Sequence, residues 1–120
     1  LKFFIGRDVV RVCQGRSDDK KMLDKFEDNF FDYIMVDGAH EYEAVKSDVE
    51  NWWPKLKDDG VMFGDDIELK SVLEGMKAGL RTNGVPMYGC NNGREQTWYC
   101  SKNGENQQFE KLIPGLNTLV

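Results

Sequence analysis

The sequence predicts an α/β domain with a mostly parallel sheet of about five strands, closed by an antiparallel hairpin at its C-terminal end. Strand-like apolar runs alternate with helical segments of 10–15 residues, the pattern of βαβ units. The run Phe31-Asp32-Tyr33-Ile34-Met35-Val36 is nearly continuous in apolar residues, as a strand buried on both faces requires. Asn91-Asn92-Gly93 lies between two further strand-like runs, which is a hairpin signal. The length of 120 residues suits one domain.

The elements follow in order. Val9-Val10-Arg11-Val12-Cys13 is short, rich in β-branched residues and ends before Gly15, so it reads as a strand. Ser17 or Asp18 is placed to cap a helix through about Phe26, with Met22, Leu23 and Phe26 on one face. After the 31–36 strand, Tyr42, Val45, Val49, Trp52 and Trp53 fall at helical spacing, while Glu43, Lys46, Asp48 and Glu50 take the wet side. Pro54 discourages continuation of that helix. Asp59-Gly60 turns the chain into a third strand, Val61-Met62-Phe63, which ends at Gly64-Asp65-Asp66. A second amphipathic helix over 67–81 carries Leu69, Val72, Leu73, Met76 and Leu80, and Asn83-Gly84 closes it. Residues 85–90 and 95–101 then form the hairpin, and the tail from Glu105 matches no element pattern.

Composition narrows the function classes. With 16 Lys+Arg against 21 Asp+Glu the net charge is −5, which argues against nucleic acid as a partner. The apolar runs fall short of a membrane span, and no signal peptide is visible. Cys13, Cys90 and Cys100 form neither a CxxC knuckle nor an even disulfide framework, which points to a reducing, cytoplasmic setting. A single histidine, His40, excludes multi-histidine metal sites.

Parallel sheets bind ligands outside the carboxyl ends of their strands. Here those ends carry Gly15-Arg16-Ser17, Asp37-Gly38-Ala39-His40 and Gly64-Asp65-Asp66. One crossover helix joins the last two strands, so their ends are expected side by side, roughly 5 Å apart. Carboxylates that close repel one another unless a cation or proton intervenes, and hard oxygen ligands suit Mg²⁺ or Ca²⁺ better than zinc. His40, three residues beyond Asp37, is placed to act as a general base near neutral pH. The plainer reading is that Asp37 and Asp66 cap the helices they precede.

The run from Phe31 through Asp37-Gly38-Ala39-His40-Glu41-Tyr42-Glu43-Ala44-Val45, then Asp48, Trp52, Pro54, Leu56 and Gly60-Val61-Met62-Phe63-Gly64-Asp65-Asp66, resembles the class I S-adenosylmethionine-dependent methyltransferases. The nearest group looks like the "IDGxHxYE" branch, similar to metal-dependent O-methyltransferases of the catechol and macrolide-sugar types. The resemblance spans about residues 9–102 and implies a Rossmann-like fold. It implies S-adenosylmethionine as cofactor, held by Gly15, Ser17, Asp37 and Gly38, with the Ser17 position contacting the adenine. It further implies Asp37, Asp65 and Asp66 as ligands of a metal such as Mg²⁺, and His40 with Asp37 as catalytic residues. Trp98 resembles a packing position of the final strand.

The same resemblance implies a missing part. The glycine-rich loop after the family's first strand is absent, as is the acid ending the second; Gly6 stands alone. At about 30 residues per βα unit, roughly 60 residues are missing on the N-terminal side, so residues 1–120 read as one partial, N-terminally truncated methyltransferase domain. The strand at 9–13 is then expected beside the 31–36 strand or against a second chain, which makes a homodimer through exposed strand edges an expectation. Three functional readings follow: metal-assisted O-methylation of a small-molecule or sugar hydroxyl, a non-catalytic half-domain that binds a partner, or a metal-dependent hydroxylase like the cephalosporin hydroxylases.

Overall fold

In a computed structural model describing residues 2–4, 10–85, 90–92, 96–103 and 118–119, the elements run β1 (Lys2–Phe4), β2 (Val10–Val12), α1 (Lys20–Leu23), β3 (Phe31–Val36), α2 (Tyr42–Trp52), a short 3₁₀ turn (Trp53–Lys55), β4 (Leu56–Gly64), α3 (Lys70–Thr82), β5 (Cys90–Asn92), β6 (Trp98–Ser101) and β7 (Thr118–Leu119). Side chains are described for 11–85 and 96–103. The strands lie in the order β2-β1-β7-β3-β4-β6-β5.

The α/β class holds, but the sheet is mixed rather than mostly parallel. Among the described residues only β3–β4 and β3–β7 are parallel, while β4–β6, β5–β6, β1–β2 and β1–β7 are antiparallel. The reason is topological. One βαβ crossover, β3-α2-β4, enforces parallel pairing, whereas after α3 the chain enters the edge strand β5 and comes back as β6, which therefore lies antiparallel between β4 and β5. The expected place of the 9–13 strand is also corrected: β2 pairs with β1, and β7 takes the position beside β3. As an edge strand, β2 leaves Val12 68% exposed.

Other local departures have physical causes. Asp59-Gly60 is no turn between elements but lies within β4, where the four residues between Leu56 and Val61 oppose only Asp32 between Phe31 and Tyr33. The surplus bulges outward with Asp58 and Asp59 in solvent. A Cβ at Gly60 would lie 2.9 Å from the Asp32 carbonyl oxygen, so the bulge needs its glycine. The helix expected from 67 starts only at Lys70, because Ile67 N–H donates to the Gln96 carbonyl and Leu69 N–H to that of Asp66. Asn91 and Asn92 lie in β5 opposite Tyr99 and Trp98, so the reversal comes after them. Residues 93–95, Gly6, Val9 and most of the tail lie outside the described residues. Cys100 is disulfide-bonded, contrary to the expectation of no disulfide framework, and its Cα partner across the ladder is Cys90. The sequence spacing could not foresee this, because an antiparallel register brings together cysteines ten positions apart.

The core lies between the sheet and the pair α2, α3. Phe31, Ile34, Met62 and Trp98 from the sheet meet Val49, Trp52, Met76 and Leu80 from the helices, all nearly or fully buried. Burying each such side chain contributes on the order of 2 kcal/mol. The two helices approach closely at glycines. A Cβ at Gly75 would lie 2.8 Å from the Tyr42 carbonyl oxygen, and one at Gly79 2.7 Å from that of Lys46.

Helix propensity alone says that replacing Gly79 with alanine stabilises by about 1 kcal/mol. The packing predicts the opposite, a loss of about 1–3 kcal/mol for G79A from overpacking. Thermal unfolding decides it, and a raised Tm refutes the packing account.

Candidate functional site

Parallel pairing of β3 and β4 runs in register to Val36 opposite Gly64. The next residue of each strand is an aspartate, so Asp37 and Asp65 leave the sheet from neighbouring carboxyl ends. Helices α2 and α3 begin only after loops 37–41 and 65–69, and these loops form the rim of the site. Neither Asp37 nor Asp66 caps a helix. The N-cap positions are Glu41 and Leu69, and neither makes a side-chain cap bond. The capping explanation of Asp37 and Asp66 therefore fails, which leaves their carboxylates for other work. Asp19 is the acid that does cap, accepting from the Lys21 N–H of α1 at 2.9 Å, in place of the expected Ser17 or Asp18.

Asp66 adopts a positive φ of 61°. This left-handed conformation is uncommon outside glycine, asparagine and aspartate, and it accompanies an ion-pair contact of 2.8 Å between Asp66 Oδ2 and His40 Nε2. The His40 backbone is held from the other helix, since Ser71 Oγ donates to its carbonyl at 2.7 Å. Asp37, His40 and Asp66 each offer one ligand atom, all within 4.8 Å of one another. Asp65 is not in that trio; its Oδ1 accepts the Asp66 N–H at 2.9 Å. Of the expected metal set Asp37, Asp65 and Asp66, the structure thus gathers the first and last around His40, with Asp65 bracing the loop.

Beneath the trio is a small cavity of about 10 Å³, enough for about one water. Trp98 lines it from β6. The indole is 1% exposed and packs on Gly64, where a Cβ would sit 2.6 Å from it. The packing expected of Trp98 is there, yet its Nε1 has no hydrogen-bond partner among the described residues.

A second, larger cavity of about 470 Å³ opens beside the trio. Its walls include Gly15, Ser17 and Asp18 from the loop after β2, Gly38 from the loop after β3, and Glu43 and Asp48 from α2. Three of the four residues expected to hold a cofactor, Gly15, Ser17 and Gly38, therefore share one wall system. The fourth, Asp37, faces the smaller cavity.

Asp48 was expected on the wet face of α2, but it is half-buried. Ser17 Oγ donates to Asp48 Oδ1 at 2.5 Å, and Trp52 Nε1 donates to the Ser17 carbonyl at 3.0 Å. Burial pushes the Asp48 carboxyl above its ordinary range, the Ser17 hydroxyl pulls it back, and Asp18 adds to the rise. Nearby Arg16 is engaged by Asp18 through two bonds of 2.9 Å, and that pairing lowers the Asp18 carboxyl. Periodicity alone could not single out Asp48, since one turn of loop packed over a helix face converts a wet position into a covered one.

An α/β domain with its polar loops gathered at the carboxyl edge of two parallel strands carries them at the edge where sheets of this kind place their ligand sites. The family described as Methyltransferase domain matches residues 5–67, just over half of the chain, and the chain belongs to that family. Such domains usually take their methyl group from S-adenosylmethionine. An uncharacterized protein, y4gI, of Sinorhizobium fredii (strain NBRC 101917 / NGR234) is 46% identical over 48 residues, covering 40% of this chain. The chain spans only 5% of the length of that relative. No solved structure matches. No helix among the described residues is long and apolar enough to cross a membrane.

The raised Asp48 carboxyl has a consequence for stability. A carboxyl held above its unfolded value favours folding below that value and loses this contribution as pH rises through the folded one. Charged Asp48 is thus a cost at neutral pH. The neutral amide of D48N can still pair with the Ser17 hydroxyl. This variant is therefore expected to unfold at no lower Tm than the native protein at pH 7, and its relative advantage shrinks below the ordinary carboxylate range. A pH series of melting curves checks both points.

Proposed function

We propose that this domain methylates a hydroxyl of a small-molecule acceptor with S-adenosylmethionine as donor, assisted by a divalent cation. The observation that carries the reading is the convergence of Asp37, His40 and Asp66 beside the 470 Å³ cavity in a chain of the methyltransferase domain family. The cavity has room for a nucleoside-sized ligand along Gly15, Ser17 and Gly38, and Gly38 and Ala39 line both it and the smaller cavity of the trio.

Methyl transfer displaces the sulfonium sulfur in line with an attacking oxygen, so positioning and deprotonation of that oxygen are the protein's tasks. The contact of His40 Nε2 with Asp66 favours the tautomer with its proton on Nε2, which leaves Nδ1 to take the acceptor's proton. The two carboxylates of Asp37 and Asp66 suit a divalent cation completed by water, with His40 left as the base. Asp37 and Asp66, with Asp65 beside them, would hold it, and such an ion lowers the pKa of a bound hydroxyl.

Calorimetric titration with S-adenosylmethionine, with and without Mg²⁺, is the direct test; micromolar binding is expected. Turnover on a phenol or sugar hydroxyl is expected to fall by about 10²–10⁴ in H40A and at least as far in D37A, with donor binding nearly unchanged. Full activity in both variants sinks the reading.

A further inference from the structure

Trp98 is a core residue whose polar atom the core does not use. Its indole is 1% exposed, and Nε1 has no hydrogen-bond partner among the described residues. Trp52 shows the ordinary arrangement, since its own Nε1 donates to the Ser17 carbonyl at 3.0 Å. A buried N–H without an acceptor loses its bond to solvent and gains no replacement, so folded proteins rarely keep one unless a bound molecule takes it.

Strand register brings that atom to the site. Trp98 lies opposite Gly64 across β4–β6, and Gly64 lies opposite Val36 across β3–β4. The edge of the indole turned to Gly64 is the one that carries the nitrogen, for a Cβ at Gly64 would come within 2.6 Å of both Nε1 and Cε2. The chain runs on from Gly64 into Asp65 and from Val36 into Asp37, and both acids line the 10 Å³ cavity together with Trp98. Asp65 Oδ1 is taken by the Asp66 N–H and Asp66 Oδ2 by His40. Asp65 Oδ2 and the Asp37 carboxylate remain to accept. An indole N–H only donates and a carboxylate only accepts, and no direct bond joins Trp98 to either acid. Water accepts and donates twice, and the cavity has room for about one. Val45 and Val72 give the cavity apolar walls, so the polar partners of such a water lie on the Trp98 and aspartate side.

We propose that this cavity is the site of a single bound water that accepts from Trp98 Nε1–H and donates to the carboxylates of Asp37 and Asp65, which makes Trp98 a positioning residue for those acids. Carboxylates that leave adjacent strands repel each other, and a donor shared between them fixes their spacing. The water site is a property of the chain's own residues. Its use, to hold Asp37 in place for a divalent cation, rests on the reading of the site given above.

The chain has three tryptophans, so its proton–nitrogen correlation spectrum carries three indole signals, and W98F identifies the one from Trp98. That signal is expected to show cross-relaxation with a long-lived water. D37N and D65N are expected to move it, because each amide adds a donor where there was only an acceptor and so turns the water. D48N, the same charge change on α2, is expected to leave it in place. An indole without water contact overturns the site, and a signal that neither D37N nor D65N moves overturns the link to the acids. Should W98F not fold, the signal is assigned through its contacts with Gly64, and the aspartate variants decide. With Mn²⁺ as the probe, W98F is expected to bind about tenfold or more weakly than the native protein, as loss of a group that orients a ligand does. Unchanged Mn²⁺ affinity with only a lowered Tm makes Trp98 a packing residue and overturns its positioning role. A native protein that binds no Mn²⁺ overturns the cation reading instead, and the indole signal then decides the water site by itself.

Discussion

The parallel pairing of β3 with β4, in register to Val36 and Gly64, is the constraint on which the site depends. Because strand neighbours lie about 5 Å apart, whatever follows the two strands is delivered to one place. Here that is Asp37 on one side and Asp65-Asp66 on the other. The pairing is maintained from behind by α2 and α3, whose backbones approach at Gly75 and Gly79 more closely than any side chain would allow. It is maintained from the far edge by β6, whose Trp98 lies against Gly64. Glycine in the last position of β4 thus serves the site as well as the core: it lets a fully buried indole reach the floor of the polar cavity.

Two kinds of electrostatic arrangement meet at this edge. The trio of Asp37, His40 and Asp66 is exposed or half-exposed, organised by backbone conformation and a single ion-pair contact. The Ser17–Asp48 pair is more covered and is organised by packing, with burial opposing the charge that the hydrogen bond favours. The first arrangement leaves its atoms open to ligands. The second gives up some stability to hold two loops in a set relation, a common compromise at sites that serve function.

Much of this was legible from residue pattern. The β3 strand matches the apolar run at 31–36 to the residue, and α2 follows the spacing of Tyr42, Val45, Val49 and Trp52. The placement of Asp37 and Asp66 at strand ends followed from the same pattern, as did His40 in the turn between them. What pattern could not show was which acids would point together. Asp65 and Asp66 are adjacent in sequence, yet one turns to its neighbour's N–H and the other to His40. That division is set by the positive φ of Asp66 and by the bonds that tie Ile67 to Gln96 and Leu69 to Asp66.

The sequence by itself determined the α/β class, the crossover from the 31–36 strand to the next and the three loops that carry the polar residues, because periodicity and strand-end chemistry are local properties; the family was legible in the residue run from Phe31 to Asp66. The tertiary structure alone decided the mixed sheet, with β7 rather than β2 beside β3, since strand neighbours are chosen by long-range pairing. It also decided the surroundings of Asp48. A helix position is wet or covered according to what packs over it, and here a loop 31 residues earlier in the chain lays Ser17 against its carboxylate.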